Sequence, residues 1–200
     1  WNNTGMNVLF GLSQITQPYP ASTVAIGTFD GVHVGHQAII RTAIEDAKAH
    51  QRPALIFTFD RHPAELVAPE RVPGYLTTPS QRLHLLSELH PSAVIVAHFD
   101  TALSELSPEA FVRGILKEKL NAKAIIVGQN FYFGKGRAGD VGYLAQVQEE
   151  YGYRLNALEA VEVDGEPASS TRIRELLRQG EIASAERVLG HPYLLAGQVV

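Results

Sequence analysis

Short runs of mostly apolar, β-favouring residues recur along the chain at Thr23–Thr28, Ala54–Phe59, Ala93–His98, Ala124–Gly128 and Arg154–Val161. In most of them hydrophobic residues follow one another instead of alternating with polar ones. That is the pattern of strands covered on both faces. Between them, His36–His50, Pro79–Leu89, Pro108–Leu120 and Val141–Tyr151 carry the wider spacing of amphipathic helices. The boundaries bear start and stop signals. Thr78-Pro79-Ser80-Gln81 fits a capping box with proline at the first helical position, and Ser107-Pro108 repeats the cap-then-proline order. Asp140 can cap the next helix and Gly152 can end it. Strands and helices in alternation predict an α/β fold, a doubly wound parallel sheet of five strands with helices on both faces. A mixed sheet remains the alternative at the fifth strand.

Beyond the fifth run, the turn Asp164-Gly165-Glu166-Pro167 leads to two short helices, about Ser170–Gln179 and Glu181–Leu189. The tail His191–Val200 changes character, with Pro192, Gly197 and the apolar Gln198-Val199-Val200 suggesting the start of another β element.

Composition narrows what such a fold can do. A net charge of −4 gives no broad attraction to nucleic acid or to anionic membrane, so any anion site must be local. There is no cysteine, which excludes disulfides, thiolate metal sites and cysteine nucleophiles and is compatible with a cytoplasmic setting. No apolar stretch approaches the ~18 residues of a bilayer span. Met6 is the only methionine; it is expected to be the natural start, with Trp1–Gly5 an appended remnant.

The strongest chemical signal is Gly27-Thr28-Phe29-Asp30-Gly31-Val32-His33-Val34-Gly35-His36, between the first strand and the first helix. Glycines let the backbone approach a ligand and take positive φ. The helix start offers free N–H groups and a partial positive charge, which favour an anion. His33 and His36 can donate ring N–H bonds to phosphoryl oxygens. The spacing is neither that of the P-loop nor that of the dinucleotide fingerprint. A metal-binding pair is the lesser alternative, because no third ligand accompanies the two histidines. The second signal, Ser169-Ser170-Thr171-Arg172-Ile173-Arg174, opens another predicted helix. Its hydroxyls and N–H groups form a donor cluster that Arg174 can complete with charge-assisted bonds to phosphate. Either segment alone could be ordinary helix capping. The pair together points to a polyphosphate.

This pairing resembles the class I nucleotidylyltransferase superfamily, with its His-x-Gly-His and Ser-Ser-Thr-x-x-Arg signatures. More narrowly it resembles the adenylyltransferase module of bacterial bifunctional riboflavin kinase/FAD synthetases. The narrower likeness rests on Gly27–His36, on Thr58-Phe59 with His62-Pro63, on Gly128-Gln129-Asn130-Phe131-Tyr132-Phe133-Gly134 and on Ala168–Arg174. Two departures touch the flavin contacts: Arg61 stands where the family commonly has proline, and Asn130 where it often has aspartate.

The resemblance implies a Rossmann-like nucleotidylyltransferase fold and transfer of AMP from ATP to FMN, giving FAD and pyrophosphate with Mg²⁺ accompanying the ATP. By the same resemblance His33, His36 and Arg174 would be catalytic. Gly27, Thr28, Phe29, Asp30, Gly31, Gly35, Ser169, Ser170 and Thr171 would bind ATP. Phe59, His62, Pro63, Asn130, Phe131, Phe133 and Arg137 would meet the flavin, with Tyr132 and Lys135 nearby. It divides the chain into an adenylyltransferase domain over 6–187 and, over 188–200, a linker and the start of a riboflavin kinase-like module whose remainder is missing. Kinase activity is therefore not expected, although such modules are normally fused to a kinase. Neither nucleic acid nor membrane is an expected partner. Adenylyl or cytidylyl transfer to another phosphorylated acceptor, and a non-catalytic nucleotide or flavin sensor, are the competing readings.

Overall fold

The structure, a computed structural model, describes residues 6–195 and 197. The expectations placed on Trp1–Gly5 and on Gln198–Val200 fall outside them.

A single parallel sheet organises the chain. Its strands are β1 (Asn7–Phe10), β2 (Ser22–Ile26), β3 (Ala54–Phe59), β4 (Ala93–Ala97), β5 (Ala122–Gly128) and β8 (Arg154–Leu158), in the order β1-β4-β3-β2-β5-β8. All five predicted strands are present, and β8 pairs parallel to β5, with Ile125 opposite Leu155, which removes the mixed-sheet alternative. The count of five is corrected to six. Asn7–Phe10 adds an edge strand whose Asn7–Phe10 backbone runs alongside Ala93–Val96 of β4. Its four residues are exposed or half-buried. Its apolar run, Val8-Leu9-Phe10, is only three residues long, shorter than the runs of about four to eight that mark a strand.

Two antiparallel hairpins lie off the sheet: β6 (Tyr132–Phe133) with β7 (Gly139–Asp140), and β9 (Glu162–Val163) with β10 (Glu166–Pro167). The second takes up part of the predicted fifth strand's surroundings. After Leu158 the chain leaves the sheet and turns at Asp164 (φ 55) and Gly165 (φ 79), both left-handed as a tight hairpin requires.

The helices are α1 (Val34–Ala49), α2 (Ala64–Val67), α3 (Pro79–Ser87), α4 (Thr101–Ser104), α5 (Pro108–Ala110), α6 (Val141–Tyr151), α7 (Ser170–Arg178) and α8 (Ile182–Leu189). The capping box at Thr78 forms as predicted: its hydroxyl accepts from the Gln81 N–H while Gln81 accepts from the Thr78 N–H. Asp140 caps α6, and Gly152 ends it at φ 70. The predicted helix over Pro108–Leu120 differs in kind: α5 continues as a π-helical stretch, Phe111–Lys119.

Each face of the sheet carries its own core. On one, Ile26, Phe57, Phe59 and Ile125 pack beneath Phe111, Ile115 and Leu116 of the π-helical stretch and Leu144 of α6. On the other, Ala25, Ile56, Val94 and Ile126 pack beneath Ile40 of α1 and Leu86 of α3. A third cluster, with Ile173, Ala185, Val188 and Leu189, joins α7 to α8 and reaches Leu76. The strand order reverses at β2, which has β3 on one side and β5 on the other. In sheets of this kind the crevice beyond the carboxyl ends at such a reversal is where ligands bind.

Candidate active site

The loop that leaves the carboxyl end of β2 takes unusual backbone conformations. Phe29 (φ 51), Gly31 (φ 79) and Val32 (φ 42) are all left-handed. For a β-branched valine that conformation is strained and persists only where surroundings enforce it. Asp30 supplies the enforcement. Its buried carboxylate accepts from the backbone N–H groups of Leu76 and Thr77 at 3.1 Å each and from the Thr77 hydroxyl at 3.1 Å. It also forms an ion pair with the Arg174 guanidinium. The Thr77 hydroxyl in turn accepts from the Gly31 N–H at 3.2 Å. At the loop's start, the Thr28 carbonyl accepts from Arg82 at 3.0 Å and from the Thr58 hydroxyl at 3.1 Å.

The loop ends in the paired histidines. His33 is the N-cap of α1, and its Nδ1 accepts from the His36 N–H at 3.4 Å. That bond requires an unprotonated Nδ1, so in the neutral ring Nε2 carries the proton and is the available donor. The two rings stack with centroids 3.6 Å apart. Gly35 between them allows it, because a Cβ there would lie 3.1 Å from the His33 ring. Burial pushes His33 down to about 4; Asp30 opposes that shift and Arg174 adds to it. His36 is pushed well below its ordinary value by burial and then by the nearness of His33, beside which a second positive charge would be repelled. Both rings are therefore neutral N–H donors at neutral pH. The Nδ1 of His36 is buried without a protein partner.

The second motif folds onto the first. Ser169 caps α7, its hydroxyl accepting from the Arg172 N–H at 3.1 Å. The Ser170 hydroxyl donates to the Asp30 carbonyl at 3.0 Å, and Arg174 reaches Asp30 and the Gly74 carbonyl. Thr171 is exposed at the first turn. The Ala168 carbonyl would lie 3.8 Å from a Cβ on Gly35. The helix starts of α1 and α7 thus meet across one loop, which gathers neutral imidazole, hydroxyl and guanidinium donors in one place. Such a gathering of donors suits a chain of phosphates.

The predicted flavin residues divide into two groups. Phe59 is 9% exposed and sits edge-on between Phe57 and Phe99; Phe133 is 8% exposed and packs against Phe111, Phe131 and Tyr143. Both are core residues first. Asn130 is exposed, Phe131 is half-buried, and Arg137 lies over the exposed Tyr132 ring at 4.3 Å. Lys135 is ion-paired with Glu105. On the β3 side, His62 and Pro63 are half-buried. The His62 N–H donates to the Tyr75 hydroxyl at 2.6 Å, and burial and then Arg174 lower the His62 pKa. The loop after β3 therefore lies within electrostatic reach of the Asp30–Arg174 pair.

Thr77, Thr58 and Arg82 belong to this assembly; Thr58 entered the sequence reading only as part of the Thr58-Phe59 likeness, with no role of its own, and Thr77 and Arg82 carried no signal as site residues. Thr77 precedes a capping box and reads as its flank; Arg82 reads as an exposed helical cation. A cleft of about 690 Å³, lined in part by Arg61, Glu65, Tyr75, Thr77 and Arg82, opens beside the assembly on the α3 side. Neither His33 nor His36 lines it.

Comparison with known proteins places this geometry. Residues 16–172 match the model of the family described as FAD synthetase. The bifunctional riboflavin kinase/FMN adenylyltransferase of Escherichia coli (strain K12) is 33% identical over 196 residues, which cover 98% of this chain and 63% of that protein. The protein of the same description from Pseudomonas fluorescens is 34% identical over 195 residues, covering 98% of this chain and 62% of that protein. A relative from Geobacillus thermodenitrificans is 38% identical over 173 residues, covering 86% of this chain and 92% of that protein. The chain thus spans about 63% of the length of the first of these relatives. A solved structure described as a macrolide-efflux protein from Streptococcus pneumoniae superposes with a TM-score of 0.80 at 24% identity, over 94% of this chain and 61% of that one, a likeness of fold alone. With the match spanning both the histidine loop and the start of α7, the chain belongs to the FAD synthetase family.

Proposed function

We propose that this chain transfers AMP from ATP to FMN, forming FAD and pyrophosphate. The observation that carries the reading is the meeting of the His33–His36 helix start with the Ser169–Arg174 helix start at Asp30. A phosphate oxygen of FMN attacks the α-phosphorus of ATP, and the bond to the bridging oxygen of pyrophosphate breaks. The attacking group is already an anion at neutral pH and needs no general base. What the protein has to supply is alignment and stabilisation of charge on the departing oxygens.

In this reading His33 and His36 donate ring N–H bonds to the triphosphate. Neutral rings are suited to this, since they can stabilise the developing charge without first surrendering a proton to it. Ser169, Ser170, Thr171 and Arg174 hold the β- and γ-phosphates, and the Gly27, Thr28, Phe29, Asp30, Gly31 and Gly35 backbone shapes the floor. His62, Pro63, Asn130, Phe131 and Arg137 face the flavin, while Phe59 and Phe133 support that wall from the core. Magnesium enters as part of the substrate MgATP. Asp30, the loop's own carboxylate, is already bound by Leu76, Thr77 and Arg174, and no cluster of three or more metal-ligating His, Asp or Glu side chains exists among the described residues. No helix among the described residues is long and apolar enough to cross a membrane, and a cytoplasmic setting with access to ATP belongs to the same proposal.

The deciding experiment incubates the purified chain with MgATP and FMN and separates products by chromatography. FAD and pyrophosphate in equal amounts from FMN are expected. Absence of FAD from FMN overturns the reading.

A further inference from the structure

The segment that follows α8 turns back and bonds to the histidine loop. At Gly190 (φ 76) the chain passes so close to α1 that a Cβ there would lie 2.7 Å from Val34. The buried Gln37 side chain spans the junction, its amide donating to the Val32 carbonyl at 3.0 Å and to the Leu189 carbonyl at 2.9 Å. His191 comes next. Its Nε2 lies 2.9 Å from the Gly31 carbonyl, a contact that is satisfied when that nitrogen carries the proton. Its Nδ1 lies 2.8 Å from the Pro192 carbonyl. Farther on, the Gln81 amide at the start of α3 donates to the Leu194 carbonyl at 3.1 Å. Leu189 and Leu76 close on Gly31 from either side, at 3.3 and 2.8 Å from where its Cβ would be. Gly31 is thus held by the Thr77 hydroxyl through its N–H and by His191 through its carbonyl.

We infer that residues 189–194 form a strap that sets the shape of the triphosphate loop, with His191 a positioning residue that acts through the Gly31 carbonyl. This rests on the adenylyl-transfer reading and extends it: the unit that binds ATP runs past residue 187 to Leu194. The loop needs such a tie. Phe29, Gly31 and Val32 are left-handed in succession around Asp30; the Val32 N–H donates to the Phe29 carbonyl at 3.1 Å, and His191 ties the other end of that peptide, the Gly31 carbonyl. The His33 ring follows two residues after Gly31 and the His36 ring five, so a change in the Gly31–Val32 peptide alters where the His33 donor points. The strap also lies on the α1/α3 face, whereas Phe131 and Phe133 pack on the opposite face of the sheet. Through Gly31 the influence of His191 should therefore fall on ATP, while Tyr193 and Leu194, farther along the strap, share a cleft with Arg61 and Glu65, which follow β3.

The test compares H191A, H191Q and H191F with the unaltered chain. Glutamine can place an amide donor near the Nε2 position, whereas phenylalanine keeps a ring but offers no donor. Titration with MgATP, followed calorimetrically, should show binding weakened about fivefold or more in H191A and H191F, the scale of one lost hydrogen bond. In H191Q it should stay within about twofold of the unaltered chain. In the steady state the KM for ATP should move by the same factors, with the KM for FMN unchanged. Unaltered ATP binding in H191F, or equal weakening in H191F and H191Q, overturns the proposal. If H191A does not fold, the phenylalanine and glutamine variants decide alone. Failure of the adenylyl-transfer reading would appear separately, as no FAD from any of the four proteins, and the MgATP titration would still judge the strap.

Discussion

The carboxylate of Asp30 is ion-paired with the guanidinium of Arg174, 144 residues away in sequence, and the two side chains are only 4% and 11% exposed. Removing one member of such a pair strands the other charge in a place water reaches poorly, which typically costs 3–5 kcal/mol, whereas removing both costs far less than the two losses summed. Arg174→Met is thus expected to destabilise the chain by about 3 kcal/mol, and Asp30→Asn by a comparable amount. The double variant should recover much of that loss without recovering activity, since the guanidinium proposed to hold phosphate is gone. Urea unfolding of the four proteins, read with the FAD assay, checks both halves. Additive losses would mean that the two groups do not depend on each other for compensation.

His33 makes stability depend on pH in a defined direction. Its pKa in the fold is about 4, below the 6.5 of the free side chain, because burial disfavours the charged ring. Between those values the unfolded chain binds a proton that the folded chain does not. The contribution is therefore fully present above pH 6.5 and is lost as pH falls toward 4, amounting to about 2 kcal/mol between pH 7 and pH 5. His33→Asn keeps a good N-cap for α1 and removes the titration. Urea midpoints at pH 7 and pH 5 should fall further apart in the unaltered chain than in H33N. Equal slopes would place His33 in a more solvated setting than its burial indicates.

His36 offers the sharper kinetic test. It is stacked on His33 and meets the Phe29 ring edge at 5.3 Å, so alanine there removes a donor while the neighbouring side chains remain in place. Loss of one well-aimed donor to a developing oxyanion typically lowers turnover by about a hundredfold or more. H36A is expected to show that loss in kcat, with a circular dichroism spectrum and cooperative melting like those of the unaltered chain. A near-normal kcat would remove His36 from the chemistry.

Much of this architecture was legible because burial leaves a direct trace in sequence. β3 and β4 are covered on both faces and read as unbroken apolar runs, and the two phosphate motifs read as donor clusters because each opens a helix. Contacts between distant segments leave no such trace. Arg82 looks like any cation on an amphipathic helix, yet it is 5% exposed and donates to the carbonyls of Thr28 and Phe59 at the ends of adjacent strands. Thr77 looks like the flank of a cap, yet its hydroxyl bridges Asp30 and Gly31. Phe59 and Phe133 were legible as aromatic residues near an acceptor site, but only packing shows that their rings are used by the core. β1 was missed because its apolar run, Val8-Leu9-Phe10, is too short to stand out as a strand.

Arg82 is therefore expected to matter out of proportion to its helical surroundings. Burial lowers its pKa, and its Nε has no protein partner, so its stabilising contacts are the two carbonyl bonds at 3.0 and 2.6 Å. Arg82→Met would leave the Phe59 carbonyl without that donor and the Thr28 carbonyl with only Thr58. A loss of roughly 2 to 4 kcal/mol is expected from denaturant unfolding. Arg82→Lys should recover part of it, because a single ammonium cannot span both strand ends as the planar fork does. If R82M matched the unaltered chain, the clasp across β2 and β3 would carry no weight.

On the proposed reading, the hairpin after β5 divides support of the fold from contact with the acceptor within two consecutive residues. Phe133 is buried against Phe111, Phe131 and Tyr143, and its ring fills the space where a Cβ on Gly139 would come within 2.7 Å. Tyr132 points the other way, 47% exposed, with Arg137 over its ring. Phe133→Ala should therefore destabilise by about 3–5 kcal/mol, as large core truncations do. Tyr132→Ala should leave unfolding almost unchanged and raise the KM for FMN without altering that for ATP. Thermal melts and steady-state kinetics on both variants test the division. A Tyr132 variant with unchanged KM for FMN would move the flavin away from this hairpin, toward His62 and the loop after β3.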